Sequence, residues 1–204
     1  MNHLLPTSTT ADERDKHARV AVLPIGSFEQ HGDYLPLTTD TVIAATISRE
    51  LTSAYTLLSL PPITISCSHE HSAWSGTVSI SARTLFSVVN DIASSVRQSG
   101  IAALVLVNGH GGNYILSNLV QEANTQARQM ALFPSGQDWQ DARSAAHLKT
   151  TMHEDMHAGE LETSILLHAH PELVREGFQT ADSVCDDRRH LLIEGMSAYT
   201  TSGV

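Results

Sequence analysis

The chain of 204 residues has few basic residues and no long apolar run. Its 12 Lys and Arg residues are outnumbered by 22 Asp and Glu, which gives a formal net charge of −10. A polyphosphate backbone would be repelled by this charge, so we expect no nucleic-acid partner. Because no segment approaches the roughly 20 apolar residues that span a bilayer, we expect no membrane partner either.

Cysteine is also scarce. Cys67 and Cys185 are the only two, they lie far apart, and neither belongs to a CxxC pair. This argues against a disulfide framework or a cysteine zinc knuckle and favours a reducing, cytoplasmic location. Residues 1–17 are polar and lack the apolar core of a signal peptide, so we expect a flexible, untargeted tail before a single domain over 18–204.

Histidine, by contrast, is abundant, with 12 copies. Several lie beside Gly, Glu or Asp, a setting typical of metal sites, although surface histidines explain many such excesses. We expect His153, His168, His170 and His190 to be surface or helix residues without a functional role.

Short apolar runs alternate with amphipathic segments along the chain. This alternation predicts an α/β fold with a mostly parallel sheet covered by helices on both faces, in which ligands bind at the carboxyl ends of the strands. The predicted elements are a strand at 18–23, a helix at 40–55 capped by Thr39 or Asp40, two short strands within 57–65, a helix at 85–96, a central strand at 101–107, a helix at 115–123, a polar loop at 135–154 and a helix beginning near Thr163.

Three polar clusters are candidates for chemistry. In the first, Glu29 and His31 are two residues apart, so an extended backbone would turn both side chains to one ion, and Asp40 adds a carboxylate nearby. A carboxylate that bridges two divalent ions supports the activation of water, and mixed oxygen and nitrogen ligands suit zinc, manganese or iron. The alternative for this cluster is an ordinary polar loop.

The second cluster is Asn108-Gly109-His110-Gly111-Gly112-Asn113, which follows the central strand. Its glycines would let the backbone approach a ligand closely around His110. The alternative is a phosphate-binding turn of a sugar or nucleotide enzyme, but a third fingerprint glycine and a Walker lysine are both missing.

The third cluster runs from His157 to Ser164 and contains Glu160 and Glu162. One glutamate is a candidate metal ligand, and His157 is suited to proton transfer. Alternatively, both glutamates stabilise a helix N-terminus through the helix dipole. Adjacent side chains at His69, Glu70 and His71 point apart, which favours substrate contact or support of the ligands.

The motifs together strongly resemble the creatininase family. The resemblance runs from about Val20 to Leu167 and rests on Gly26-Ser27-Phe28-Glu29-Gln30-His31-Gly32, Leu35-Pro36-Leu37-Thr38-Thr39-Asp40, Glu70-His71 with Gly76-Thr77, Asn108–Asn113, and His157-Ala158-Gly159 with Glu162-Thr163-Ser164. It implies a three-layer αβα sandwich and a binuclear metal centre. Glu29, His31, Asp40 and His110 would bind the metals with Asp40 bridging, and His157 would handle substrate and protons.

This chain departs from creatinine hydrolases directly after His110. Those enzymes have an aromatic residue and a metal-binding glutamate there, whereas this chain has Gly111 and Gly112. We expect Glu162, ahead of Glu160, to replace the missing ligand and to take part in catalysis. The substrate would contact Glu70, His71, Gly111 and Gly112. The glycine version resembles family branches that act on formamidopyrimidines or trim a cofactor precursor peptide.

The expected function is that of a metal-dependent amidohydrolase. Metal-activated water would cleave an amide, cyclic amide, formamide or small-peptide C–N bond, with two Zn, Mn or Fe ions per chain. The alternative is a member of the fold that binds metal or ligand without catalysis. The resemblance also implies a homo-oligomer, commonly a hexamer, and a further C-terminal helix beyond residues 199–203, so the chain is expected to be a shortened member or a fragment.

Overall fold

A four-stranded, fully parallel sheet forms the centre of the protein. The computed structural model describes residues 4–181 and 188–204. The strands are β1 (Val20–Ile25), β2 (Leu58–Ser59), β3 (Ala103–Asn108) and β4 (Met130–Phe133), arranged in the order β2-β1-β3-β4. Strands β1 and β3 are paired from Val20 with Ala103 to Ile25 with Asn108, so both end at the same level of the sheet.

Helices connect the strands and continue after the last one. In chain order they are α1 (Thr10–Lys16), α2 (Thr39–Ala54), α3 (Ala82–Gln98), α4 (Ile115–Ala123), α5 (Gly136–Ala145), α6 (Glu160–Ala169) and α7 (Leu191–Glu194). Within the described ranges, no helix combines the length and the apolar character needed to cross a membrane.

The sheet is covered by helices on both faces. Leu23 and Leu106 point to one face and pack with Leu85 of α3 and Leu116 of α4. Val22 points to the opposite face and packs with Ala44 of α2. Helix α6 packs against α2 through Leu166 and Ile43. The expected three-layer αβα sandwich is confirmed, because alternate residues of each buried strand supply both interfaces.

Several sequence predictions differ from the structure. The segment 135–154, expected to be a loop, contains α5, whose capping box at Ser135 and Asp138 starts a helix without an apolar face. A capping box likewise starts α1 within the expected tail. Helix α2 has Thr38 at its N-cap without a side-chain bond. Thr39 and Asp40 therefore do not cap it. Strand β4 was not predicted, because its sequence has no clear strand pattern.

The start of α2 lies directly against the ends of β1 and β3. A Cβ atom on Gly26 would overlap the main chain of Thr41, and one on Gly109 would overlap the carbonyl oxygen of Asp40. Only glycine permits such close contact between backbones. The fold thereby brings the loops after two central strands together with the first turn of a helix.

Candidate metal centre

Glu29, Asp40 and His110 form a compact group at the carboxyl edge of the sheet. Their ligand atoms all lie within 4.8 Å of one another. The Nδ1 atom of His110 is 3.1 Å from Glu29 Oε1 and 3.1 Å from Asp40 Oδ2. All three side chains are buried. Two carboxylates and one imidazole in this arrangement could hold a divalent cation.

A second group consists of His31, Asp40 and Glu162, again with ligand atoms within 4.8 Å of one another. His31 Nε2 lies 3.1 Å from Asp40 Oδ1 and 3.8 Å from Glu162 Oε2. Asp40 therefore directs one oxygen to each group, while Ser27 Oγ donates a hydrogen bond of 2.6 Å to its Oδ2 atom. A carboxylate shared in this way has the geometry expected of a bridging ligand.

Main-chain carbonyls fix which ring nitrogen of each histidine faces the cluster. His31 Nδ1 is 3.1 Å from the carbonyl oxygen of Glu29, and His110 Nε2 is 2.7 Å from that of Cys67. A carbonyl only accepts, so these nitrogens carry the protons of the neutral rings. Nε2 of His31 and Nδ1 of His110 are left free to bind a cation, an arrangement typical of metal-binding histidines.

The Glu29 carboxylate supports the fit of a cation. It is completely buried, and neither of its oxygens has a hydrogen bond of acceptable geometry to any residue that the structure describes. A buried carboxylate without hydrogen bonds is costly unless a positive charge neutralises it. Protonated histidines within 4 Å, such as His110, supply part of that charge, and a divalent cation would supply it more fully.

His157 and His71 lie next to the cluster. The His157 ring centroid is 4.3 Å from that of His31, and its Nε2 donates to the Gln30 carbonyl oxygen at 2.7 Å, which leaves Nδ1 facing Glu29 at 3.7 Å. The Gln30 side chain donates to His71 Nδ1 at 2.8 Å. His71 Nε2 then carries the proton and lies 3.3 Å from Glu29 Oε1, without the angles of a hydrogen bond.

The predicted substrate-contact residues occupy different positions. Glu70 Oε1 is 3.4 Å from His110 Nε2, and a Cβ atom on Gly112 would overlap this carboxylate. Gly112 thus gives room to Glu70 beside His110. A Cβ atom on Gly111 would meet no described atom within 4 Å, and this glycine lines a cavity of about 250 Å³ together with Glu162.

The two glutamates of α6 point in different directions. Glu162 turns back into the cluster, where its Oε2 accepts a hydrogen bond of 2.7 Å from the Ala158 amide. Glu160 turns outward, and its Oε2 accepts from the amides of Lys149 and Thr150. Of the two, Glu162 alone joins a ligand group among the described residues. Glu160 and Glu162 are two residues apart on a helix, so their side chains leave it in different directions.

Sequence reasoning missed the residues that orient the cluster. Ser27 and Gln30 lie within the first motif, but nothing in their identity marks a contact with Asp40 or His71. Cys67 contributes its main chain, which carries no sequence signal. His170, expected at the surface or in a helix, is buried and lies 3.1 Å from Thr46 Oγ1. Cys185 lies outside the described residues.

The charges of the cluster shift several pKa values. Burial alone would lower the pKa of His31, but Asp40 outweighs it and raises that pKa to about 9. Burial would raise the pKa of Asp40, yet His31 and His110 hold it well below its ordinary value. Burial raises the pKa of Glu162 to about 7. Burial and the charge on His31 hold the pKa of His157 well below its ordinary value.

Protein stripped of divalent ions is expected to lose thermal stability as the pH rises from about 7 to about 9.5. The pKa of His31 is raised from 6.5 to about 9, so its interaction with Asp40 is fully present below pH 6.5 and is lost as the pH passes 9. Circular dichroism in a chelator should show a melting temperature lower by roughly 5 °C at the higher pH.

A substituted histidine provides the control. His31→Gln should reduce this pH dependence and leave the part due to His110, whose pKa Asp40 also raises against the effect of burial. Substitution of the exposed His168 by Gln should preserve it. A melting temperature of the stripped, unsubstituted protein that stays constant between the two pH values would contradict the assigned charge on His31.

Fold and cluster together define an α/β protein with a candidate divalent-cation centre at the carboxyl edge of its sheet. The family model for creatininase, described as creatinine amidohydrolase, matches residues 6–204. The chain belongs to the creatininase family, and the resemblance of its motifs to that family is confirmed.

Individual relatives differ in name. The mycofactocin precursor peptide peptidase of Mycobacterium ulcerans (strain Agy99) is 36% identical over 162 residues, which cover 75% of this chain and 59% of that protein. Creatinine amidohydrolase of Pseudomonas putida is 25% identical over 174 residues, covering 76% and 66%. A solved structure of a creatinine amidohydrolase (creatininase) superposes with a TM-score of 0.70 at 22% identity, covering 86% and 75%. The chain spans about three fifths of the length of the mycofactocin peptidases that it matches.

Proposed function

We propose that this chain is a divalent-metal-dependent amidohydrolase acting on a C–N bond of a small substrate. One observation carries the proposal, namely that the two oxygens of Asp40 face two separate ligand groups. A structural ion pair would need only one such group, whereas a carboxylate between two groups is suited to hold two cations close together. Membership of the creatininase family supports the same reaction class.

The side chains of the two ligand groups would hold two cations. Glu29, Asp40 and His110 would hold one cation, and His31, Asp40 and Glu162 would hold the other. When bound, two divalent cations would lower the pKa of a coordinated water and polarise the substrate carbonyl. Zinc, manganese and iron all suit this set of nitrogen and oxygen donors.

His157 is the proposed proton carrier. Its Nε2–H is committed to the Gln30 carbonyl, so Nδ1 is the atom that would accept the proton released by the attacking water and pass it to the leaving nitrogen. Because burial holds the pKa of this ring well below its ordinary value, the ring is neutral at pH 7 and its protonated form is a strong donor. Glu162, whose carboxylate also faces His31, is proposed to assist this transfer.

A small peptide is the proposed substrate, in preference to creatinine. Two cavities adjoin the cluster, one of about 390 Å³ lined by His31 and His157, and one of about 250 Å³ lined by Gly111 and Glu162. They could accommodate the two portions of a chain on either side of a scissile amide. Similarity to proteins named as peptide peptidases supports this choice.

Removal and return of metal tests the reaction class. A chelator should abolish hydrolysis of an active substrate, and Zn²⁺, Mn²⁺ or Fe²⁺ should restore it. The exposed Asp33, two residues from His31, offers a control, because Asp33→Ala should respond to chelation and return of metal like the unsubstituted protein. Full turnover by protein shown by elemental analysis to contain no metal would refute the proposal.

A substrate panel distinguishes catalysis from binding. Metal-loaded protein would be incubated with short peptides, formamides, lactams and creatinine, and products would be identified by mass spectrometry. We expect peptide cleavage and little product from creatinine. Tight binding of panel members without any product would instead favour a metal-dependent binding protein.

A further inference from the structure

A buried ion pair lies outside the cluster, between α5 and the loop that carries His157. The side chains of Arg143 and Asp155 are only 6% and 3% exposed, and Arg143 Nη1 donates to Asp155 Oδ2 at 2.7 Å. Arg143 Nη2 donates to the Thr150 carbonyl oxygen at 2.6 Å and to its hydroxyl at 2.8 Å. Burying two charges costs more than an apolar pair of the same size, so stability alone explains this arrangement poorly.

Asp155 caps helix α6 from outside the helix. Its Oδ2 accepts a hydrogen bond of 2.9 Å from the Leu161 amide, a role that an Asp, Ser or Thr at the N-cap position ordinarily fills. The N-cap residue here is Gly159, and a Cβ atom on it would overlap Asp155 Oδ1. The carboxylate of Asp155 thus occupies the place of the missing N-cap side chain.

The helix turn held in this way is the one that carries Glu162. Glu162 is the third residue of α6, and its carboxylate reaches back to the Ala158 amide at 2.7 Å and lies 3.8 Å from His31 Nε2. Ala158, in the connection from His157 into α6, has a positive φ of 54°, a conformation that residues with a side chain rarely adopt. A small shift of this turn would move Glu162 out of its ligand group.

We infer that Arg143 and Asp155 are a positioning pair that sets the Glu162 carboxylate opposite His31 and Asp40 and so determines the affinity of one of the two metal positions. The inference rests on the proposed metal-dependent function. Arg143 acts through Asp155, which acts through the first turn of α6. Both residues also line the cavity of about 250 Å³, so the test is made on metal binding in the absence of substrate.

Metal titration of the full chain tests the inference. Stripped protein would be titrated with Co²⁺, with calorimetry for affinity and visible absorption for the geometry of each ion. Arg143→Met should weaken one ion by at least about tenfold and alter its absorption band, while the ion held by Glu29, Asp40 and His110 keeps its affinity. In Arg143→Lys the affinity for this ion should lie between those of Arg143→Met and the unsubstituted protein, because one ammonium cannot bind both Asp155 and Thr150 in the same way.

A destabilised variant far from the site separates positioning from general stability. Leu119→Ala removes a buried core side chain of α4 and should lower the melting temperature without changing either metal affinity. If Arg143→Met does not fold, Asp155→Asn replaces it, and the same selective weakening is expected.

Two results would overturn the inference. One is unchanged affinity for both ions in a folded Arg143 or Asp155 variant. The other is a loss of metal affinity in Leu119→Ala as large as that in Arg143→Met. Failure of the unsubstituted protein to bind any divalent ion would instead refute the proposed function, and the positioning role with it.

Discussion

Asp40→Ala is expected to lower the metal content by at least one ion per chain and to reduce hydrolysis by roughly a thousandfold or more. Each oxygen of this carboxylate faces a different ligand group, at 3.1 Å from His31 and 3.1 Å from His110. Without it, two cations would face each other across a short gap with less negative charge between them, and at least one should be expelled.

Elemental analysis of dialysed protein measures this effect directly. Asp40→Asn serves as a partner variant, because it keeps the shape of the side chain and removes the charge. His31→Ala should be intermediate and lose affinity for one ion only, since one imidazole nitrogen faces the cluster. Retention of two tightly bound ions by Asp40→Ala would show that the carboxylate does not bridge.

Glu162→Gln is expected to have the second-largest effect. It should release the ion shared with His31 and Asp40, retain the other, and reduce hydrolysis by roughly a hundredfold or more. The side-chain oxygen of the glutamine can still accept the hydrogen bond from the main-chain N–H of Ala158, so the start of α6 should persist. The loss would therefore reflect the missing charge rather than a misfolded helix.

Glu160→Gln is the matched control for this variant. It lies two residues earlier on the same helix, but its carboxylate binds the amides of Lys149 and Thr150 and does not face the cluster. Metal content should stay at that of the unsubstituted protein. If Glu160→Gln lost an ion and Glu162→Gln kept both, the ligand would have been assigned to the wrong glutamate.

The central elements of the fold were predictable because their apolar periodicity is strong. Strands β1 and β3 and helices α2, α3 and α4 lie within a few residues of their predicted positions. Helix α5 was not predicted, since its start depends on a capping box rather than on an apolar face. Strand β4 has only four residues and depends on pairing with β3.

In the candidate centre, too, some features follow from the sequence pattern and others depend on contacts made in the folded protein. Glu29, His31 and His110 follow predicted strand ends, so their proximity could be expected from topology. The choice between Glu160 and Glu162 depends on where α6 begins, which Asp155 helps to set from six residues before Leu161. Contacts made by backbone atoms, such as the Cys67 carbonyl, cannot be read from side-chain identity.

The contact between α2 and the strand ends limits which positions can carry a side chain in the loop around His110. Gly109, just before His110, has no room for a side chain because the Asp40 main chain lies against it, whereas Gly111, just after, faces open space. Any side chain at position 109 would have to displace the main chain of Asp40 or its own loop. A residue at position 111 would enter the 250 Å³ cavity instead. A side chain at position 111 can therefore change the cavity, whereas the close contact with Asp40 requires glycine at position 109.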